Sequence, residues 1–204
     1  MMNRNVKIAK QLVMIAKMLV SSAGDDIESM STDEKLKLAR NKNTSPEILE
    51  KLADDKEADV RYYVAENPKT PVDILKKLAR EDEESGVRQA VAYNPNTPAD
   101  ILKKLAEDKD DDVRWAVAEN TKAPADILRK LADDKDDYVK SAVVDNPNAP
   151  VEVLENWAED KDRYKRKAVA YNPNTPTEVL KKLAEDEDER IRRIAERALR
   201  KRGQ

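Results

Sequence analysis

The chain has 204 residues, 40% of them charged and 4% aromatic, too little bulky apolar material for a compact globule of that size. It contains no Cys and no His, which excludes disulfides, thiolate metal sites and iron–sulfur clusters and removes the commonest general base and metal ligand. The net charge of −3 is unevenly spread: residues 1–22 carry +4, residues 190–204 carry +6 and the stretch between carries −13, a poor match for nucleic-acid binding along its length.

The first expected element is an amphipathic helix over residues 1–22. Its longest apolar stretch, near residues 6–20, is broken by Lys10 and Lys17, which argues against a membrane span and a secretory signal, so a cytoplasmic location is expected. Ile8, Leu12, Ile15 and Leu19 alternate by four and three, and Ala9, Val13, Ala16 and Val20 do so beside them. Such a wide apolar face covers the open end of an array, self-associates through those heptad positions, or docks to a partner or a membrane. Residues 23–31 form a linker. Residues 32–204 form a helical repeat array with a C-terminal capping helix.

The repeat is legible from its linkers. An Asn recurs at Asn41, Asn67, Asn94, Asn120, Asn146 and Asn172, spaced by 26, 27, 26, 26 and 26, which gives six units of about 26 residues. Asn tolerates a left-handed helix end, and a following Pro cannot continue the helix. Thr44, Thr70, Thr97 and Thr175 then stand where N-caps belong, with Glu47, Asp73, Asp100 and Glu178 three residues later. Pro71, Pro98, Pro124, Pro150 and Pro176 fit the first helical position, and Ala123 and Ala149 replace the Thr in two repeats, predicting weaker caps there. The first helix of each unit reads I-L-x-x-L-A, as at Ile101, Leu102, Leu105 and Ala106. The second reads V-R-x-x-V-A, as at Val113, Arg114, Val117 and Ala118. Lys165 interrupts the core Val column and Trp157 the Leu column.

The motif N-P-N-T-P-x-[ED]-[VI]-L-x-x-L-A-x-D followed by V-R-x-x-V-A-x-N resembles the leucine-rich repeat variant family and, more loosely, is similar to HEAT-like repeats, over roughly residues 32–197. The resemblance implies an all-α fold, a right-handed α-solenoid of two-helix repeats with the second helix partly 3₁₀, and a scaffold or protein-binding role. A Cys-rich iron–sulfur segment found in some members has no counterpart here.

Acids abound, so an enzymatic reading has to be weighed. Glu57, Glu84, Asp110, Asp136, Asp162 and Asp188 each stand four residues before Arg61, Arg88, Arg114, Lys140, Arg166 and Arg192. That spacing suits helical ion pairs, and each acid can also cap the second helix. Charges that obey the repeat belong to its architecture, whereas a catalytic pair would break it. The D-K-D-D runs lack the Gly and terminal Glu of a calcium loop. No catalytic, cofactor-binding or metal-binding residue is assigned, and no enzyme activity is expected.

The aromatic residues carry more information. Counted from the core Val of the second helix, offsets −1, +2 and +6 fall within about 60° of one another, pointing away from the core. Tyr138 and Tyr164 occupy the first column, Tyr62 and Trp115 the second, and Tyr93 and Tyr171 the third. Gln89, Ser141 and Lys167 share the +2 column; Glu66, Glu119 and Asp145 share the +6 column. These columns vary most between repeats, while the core columns vary little. Outward Tyr and Trp among charges mark an interaction surface, unless the rings merely cover neighbouring side-chain stems. The expected function is therefore non-catalytic binding of a protein or peptide on this face, with Tyr62, Glu66, Gln89, Tyr93, Trp115, Glu119, Tyr138, Ser141, Tyr164, Lys167 and Tyr171 as its residues. The alternative is an assembly subunit that oligomerises or docks through its N-terminal helix. The basic C-terminus, Arg197 with Arg200, Lys201 and Arg202, complements the last helix dipole, or else contacts nucleic acid, a weaker match because no aromatic is interleaved there.

Overall fold

Short apolar stripes bounded by Asn-Pro linkers make helices of two or three turns, and the computed structural model, which describes residues 26–203, shows fourteen α-helices and no strand among them. Residues 1–22, with Ile8, Leu12, Ile15 and Leu19, lie outside the described residues. The chain divides into two compact units, residues 1–87 and 88–204. The first contains α1 (Asp26–Ser29), which falls within the expected linker, then α2 (Thr32–Arg40), α3 (Pro46–Leu52), α4 (Ala58–Glu66) and α5 (Val72–Glu81). The boundary falls within α6 (Ser85–Tyr93). The second unit continues with α7 (Ala99–Leu105), α8 (Asp111–Glu119), α9 (Ala125–Leu131), α10 (Asp137–Asp145), α11 (Val151–Ala158), α12 (Arg163–Tyr171), α13 (Thr177–Leu183) and α14 (Glu189–Arg202). First and second helices alternate as expected. The second helices are α-helical along their length, so the 3₁₀ content implied by the resemblance is not found among the described residues.

The core follows the sequence stripes. Leu49 and Leu75 in the first unit, and Leu102, Leu128, Leu154 and Leu180 in the second, are fully buried, as are Val60, Val113 and Val139 from the second helices. Each such side chain contributes about 1.5–3 kcal/mol on burial. In the second unit, successive second helices pack directly on one another, α8 on α10 and α12 on α14, while successive first helices make slighter contact.

The helix starts differ from expectation. Pro71, Pro98, Pro124, Pro150 and Pro176 are themselves the N-caps, extended at φ between −55 and −67. Their carbonyls accept the first helical N–H groups, as in Leu102 N to Pro98 O at 3.1 Å. The threonines before them are buried and act as donors: Thr44 Oγ1 donates to Leu38 O at 2.6 Å, Thr97 Oγ1 to Val91 O at 2.5 Å and Thr175 Oγ1 to Val169 O at 2.5 Å, with Thr70 doing the same to Val64 O. They stitch the linker to the end of the preceding helix rather than capping the next one. Glu47, Asp73, Asp100 and Glu178 do lie in the first turn, facing the positive end of the helix dipole.

The linker asparagines are not left-handed. No described non-Gly residue has positive φ, and Asn120, Asn146 and Asn172 are extended at φ −67, −68 and −64. Their side chains instead bridge repeats. Asn146 Nδ2 donates to Ala118 O at 2.6 Å and to Asn120 O at 3.0 Å; Asn172 Nδ2 donates to Val144 O at 2.5 Å and to Asn146 O at 2.9 Å. In the first unit, Asn67 Nδ2 likewise reaches Ala39 O at 2.7 Å and Asn41 O at 3.1 Å. The Oδ1 atom accepts the N–H two residues on, as from Asn148 N to Asn146 at 2.8 Å, which shapes the turn. After the last linker, Arg202 donates to Thr175 O at 2.6 Å and Pro173 O at 2.5 Å, closing that edge.

The charge ladder exists, but with other partners. Arg114 does not pair with Asp110; its Nε meets Asp134 of the next repeat at 2.7 Å, and Arg88–Asp108 and Arg166–Asp186 repeat this at 2.6 and 2.7 Å. The first unit has Lys35–Asp55 at 2.8 Å and Arg61–Asp82 at 2.6 Å. Arg114 also donates to Asp108 O at 2.9 Å, clamping the turn of its own repeat. Asp110, Asp136, Asp162 and Asp188 are freed to cap the second helices, as Asp136 does for Tyr138 N at 2.8 Å; Glu57 makes no such cap.

Two substitutions test this geometry. Ala123→Thr should restore the missing donor to Val117 O and stabilise by about 0.5–1.5 kcal/mol, whereas Asn146→Ala, leaving buried carbonyls unsatisfied, should cost about 1–3 kcal/mol. Urea unfolding at constant m-value reads both; equal midpoints for all three chains would contradict it.

Candidate interaction face

Since second helices bury the Val and +3/+4 positions, the remaining outward columns are set by geometry. Every expected face residue is exposed or half-buried, none fully buried. In the first unit, Tyr62 is half-buried, edge-on to Tyr63 at 5.1 Å, and Glu66 is exposed at the end of α4. Tyr63 itself, at a core-type position, lies under the Arg40 guanidinium at 3.9 Å.

The second unit holds the larger set. Gln89, Trp115 and Lys167 are half-buried, and Glu119 and Ser141 are exposed. Tyr138, Tyr164 and Tyr171 stand 80%, 66% and 63% exposed, well above what a satellite of the core would show. Tyr93 meets Trp115 edge to face, ring centroids 5.8 Å apart at 84°, so the +6 column of one second helix abuts the +2 column of the next. Lys167 Nζ lies 5.8 Å from the Tyr171 ring and the Arg163 guanidinium 5.0 Å from that of Tyr164. These two rings do cover long neighbouring side chains, yet remain mostly open.

Carboxylates on this face behave unlike those of the ladder. Asp186 is held below the ordinary carboxylate range by its hydrogen bond from Arg166, against opposing desolvation. At Asp108 and Asp134 desolvation is the largest influence and pushes up, but the guanidinium, the turn N–H and nearby cations together bring the carboxyl lower. Glu119, by contrast, is raised by desolvation and then by the charge of Asp145, and Asp145 is raised by desolvation. Both end their helices, where the dipole also disfavours negative charge, and neither helix has a base in its last turn. No group of three or more acids among the described residues could hold a metal ion.

Residues missing from the expected set extend the face. The −1, +2 and +6 columns continue onto α14 as Arg190, Arg193 and Arg197, and Arg163 lies beside Tyr164 at the start of α12. Carrying the column count one helix further finds the first three; no apolar or aromatic signal marks them. A shallow pocket of about 160 Å³ is lined by Arg163, Tyr164, Lys167, Asp188, Arg190 and Ile191. Aromatics are thus interleaved with the C-terminal bases through α12, not within α14 itself.

The raised carboxyls carry a sign that can be checked. A folded-state pKa above the unfolded value makes stability greatest below the ordinary carboxylate range, and part of it is lost as pH rises through the folded pKa. Glu119→Gln with Asp145→Asn should therefore raise the melting temperature at pH 7, with the gain vanishing below about pH 4. A gain independent of pH would contradict the assignment.

Comparison with known proteins follows the same lines. The leucine-rich repeat variant family matches residues 86–110 and 166–188. A solved structure described as a leucine-rich repeat variant with a novel repetitive protein structural motif is 31% identical and superposes with a TM-score of 0.58, over 78% of this chain and 63% of that one. The chain thus spans somewhat less than two thirds of that protein's length. An engineered protein reaches 19% identity and a TM-score of 0.34, over 92% of this chain and 94% of that one, too distant to support an argument. No curated protein matches.

Proposed function

The repeats of this chain belong to the leucine-rich repeat variant family, and on that premise we propose that it is a non-catalytic scaffold that binds a protein or peptide on the outward face of its second helices. The observation that carries this reading is the row of open aromatic rings in the unit of residues 88–204: Tyr138, Tyr164 and Tyr171 remain more than half exposed. Large amphipathic rings lose little entropy on binding and dominate interface energetics, so leaving them in water without a partner is a standing cost. The Tyr93–Trp115 pair gives a preformed apolar anchor beside them. The ladders, meanwhile, engage most of the buried charges, so the groups left over on this face are those the fold does not need.

Selection from random displayed dodecapeptides tests it. Peptides enriched on the wild-type chain should bind the Tyr93→Ser, Trp115→Ser, Tyr171→Ser triple variant at least about tenfold more weakly, with helical circular dichroism retained. Equal affinity for both chains would refute the face.

A further inference from the structure

The second helices of the 88–204 unit change sign along the stack. On α8 and α10 the open charges are acidic: Asp112 and Glu119, then Asp145. The basic residues of those helices are turned away from the face, Arg114 to Asp134 at 2.7 Å and Lys140 to Asp137 at 2.6 Å. In the same columns of α12 and α14 the charges are basic: half-buried Lys167 and exposed Arg190, Arg193 and Arg197, of which Arg193 pairs with Glu189. Among the described residues, Glu119, Asp145, Lys167, Arg190 and Arg197 make no ion pair. The fold therefore leaves one half of a single face anionic and the other cationic.

Resting on the reading of this face as a binding surface, we propose that its occupant is a polypeptide segment of divided charge, with its basic part over α8 and α10 and its acidic part over α12 and α14. The chemistry at each end agrees. Glu119, one helical turn beyond Trp115 on α8, can receive a Lys or Arg side chain through charge and ring face together. The desolvation that raises Glu119 and Asp145 is the cost an incoming cation relieves. At the other end, the 160 Å³ pocket offers Lys167 and Arg190 to a carboxylate, with Tyr164 as one wall; Asp188, which also lines it, is already engaged by Arg163 at 3.3 Å and by the Arg190 N–H. A nucleic acid, uniformly anionic, matches only that half and is repelled by the first. Adjacent helix axes about 8–10 Å apart place the outer two of four second helices about 25–30 Å apart, which an extended chain of about nine residues spans.

Fluorescence anisotropy with labelled peptides of about twelve residues tests this. One carries lysines, then a Ser/Tyr spacer, then glutamates; a second has the same composition with Lys and Glu alternating; others are all-Lys and all-Glu, and oligothymidylate is the nucleic-acid probe. The divided peptide should bind about tenfold tighter than the alternating one, and Glu119→Lys with Asp145→Lys, or Lys167→Glu with Arg190→Glu, should each remove that advantage. Equal binding of divided and alternating peptides overturns the proposal. So does tighter binding of oligothymidylate that Lys167→Glu with Arg190→Glu abolishes, which would make the occupant a nucleic acid. If charge order is immaterial but the Tyr93, Trp115, Tyr171 triple Ser variant still loses the peptide, only the divided charge fails. If no peptide responds to either set of substitutions, the binding face fails with it.

Discussion

A buried side-chain amide that recurs at Asn67, Asn94, Asn120, Asn146 and Asn172 governs this fold. Asn146 spends both Nδ2 hydrogens on carbonyls of the preceding repeat and its Oδ1 on its own turn, and Asn172 does the same one repeat later. Within the unit of residues 88–204 the carbonyl of one Asn receives the amide of the next, so the amides form a relay: Asn172 to Asn146, Asn146 to Asn120. Those bonds reach back 26 and 28 residues, which ties the repeat length to the side chain's reach. Asp would lack the donors, and Gln would carry them one methylene too far. A buried polar group is costly unless every valence is met, and here none of the described buried side-chain polar atoms is left without a partner.

At the opposite turn the Arg–Asp clamps do the complementary work. Each guanidinium joins the turn of its own repeat to a carboxylate of the next, fixing neighbours in register more than adding net stability, since buried ion pairs largely offset their own desolvation. The exception explains the irregular residues. Lys140 turns to Asp137, and Asp160, which the ladder would assign to it, is taken by Lys165 at 2.8 Å. Lys165 stands at a core Val position and lies 5.0 Å from the Trp157 ring, itself in place of a Leu. Three departures from the repeat are thus one cluster in space.

Periodicity made the helices and their core legible, because burial demands the same stripe in every repeat. It could not reveal partners lying in the next repeat. A base four residues after an acid reads as a local pair, and only the stacking shows that Arg114 reaches Asp134, leaving Asp110 as a cap. Local rules make Thr97 an N-cap and give Asn120 a left-handed conformation, whereas Thr97 donates to the preceding helix and Asn120, an extended C-cap of α8, reaches the preceding repeat. The outward columns were readable for the aromatics, which stand out in a chain with so few. The bases on α14 continue the same columns but were hidden, because Arg near a helix C-terminus already has a local explanation. What the repeats share therefore accounts for folding, and what they do not share lies on the open face and in the Lys140, Lys165 and Trp157 cluster.

Solvent exchange of the side-chain amides tests the central claim most directly. By nuclear magnetic resonance, the Nδ2 protons of Asn120, Asn146 and Asn172 should exchange as slowly as backbone amides at the centres of the second helices, since they open only when repeats separate. Exchange as fast as that of exposed Asn43 or Asn156 would mean that the relay does not hold the repeats together.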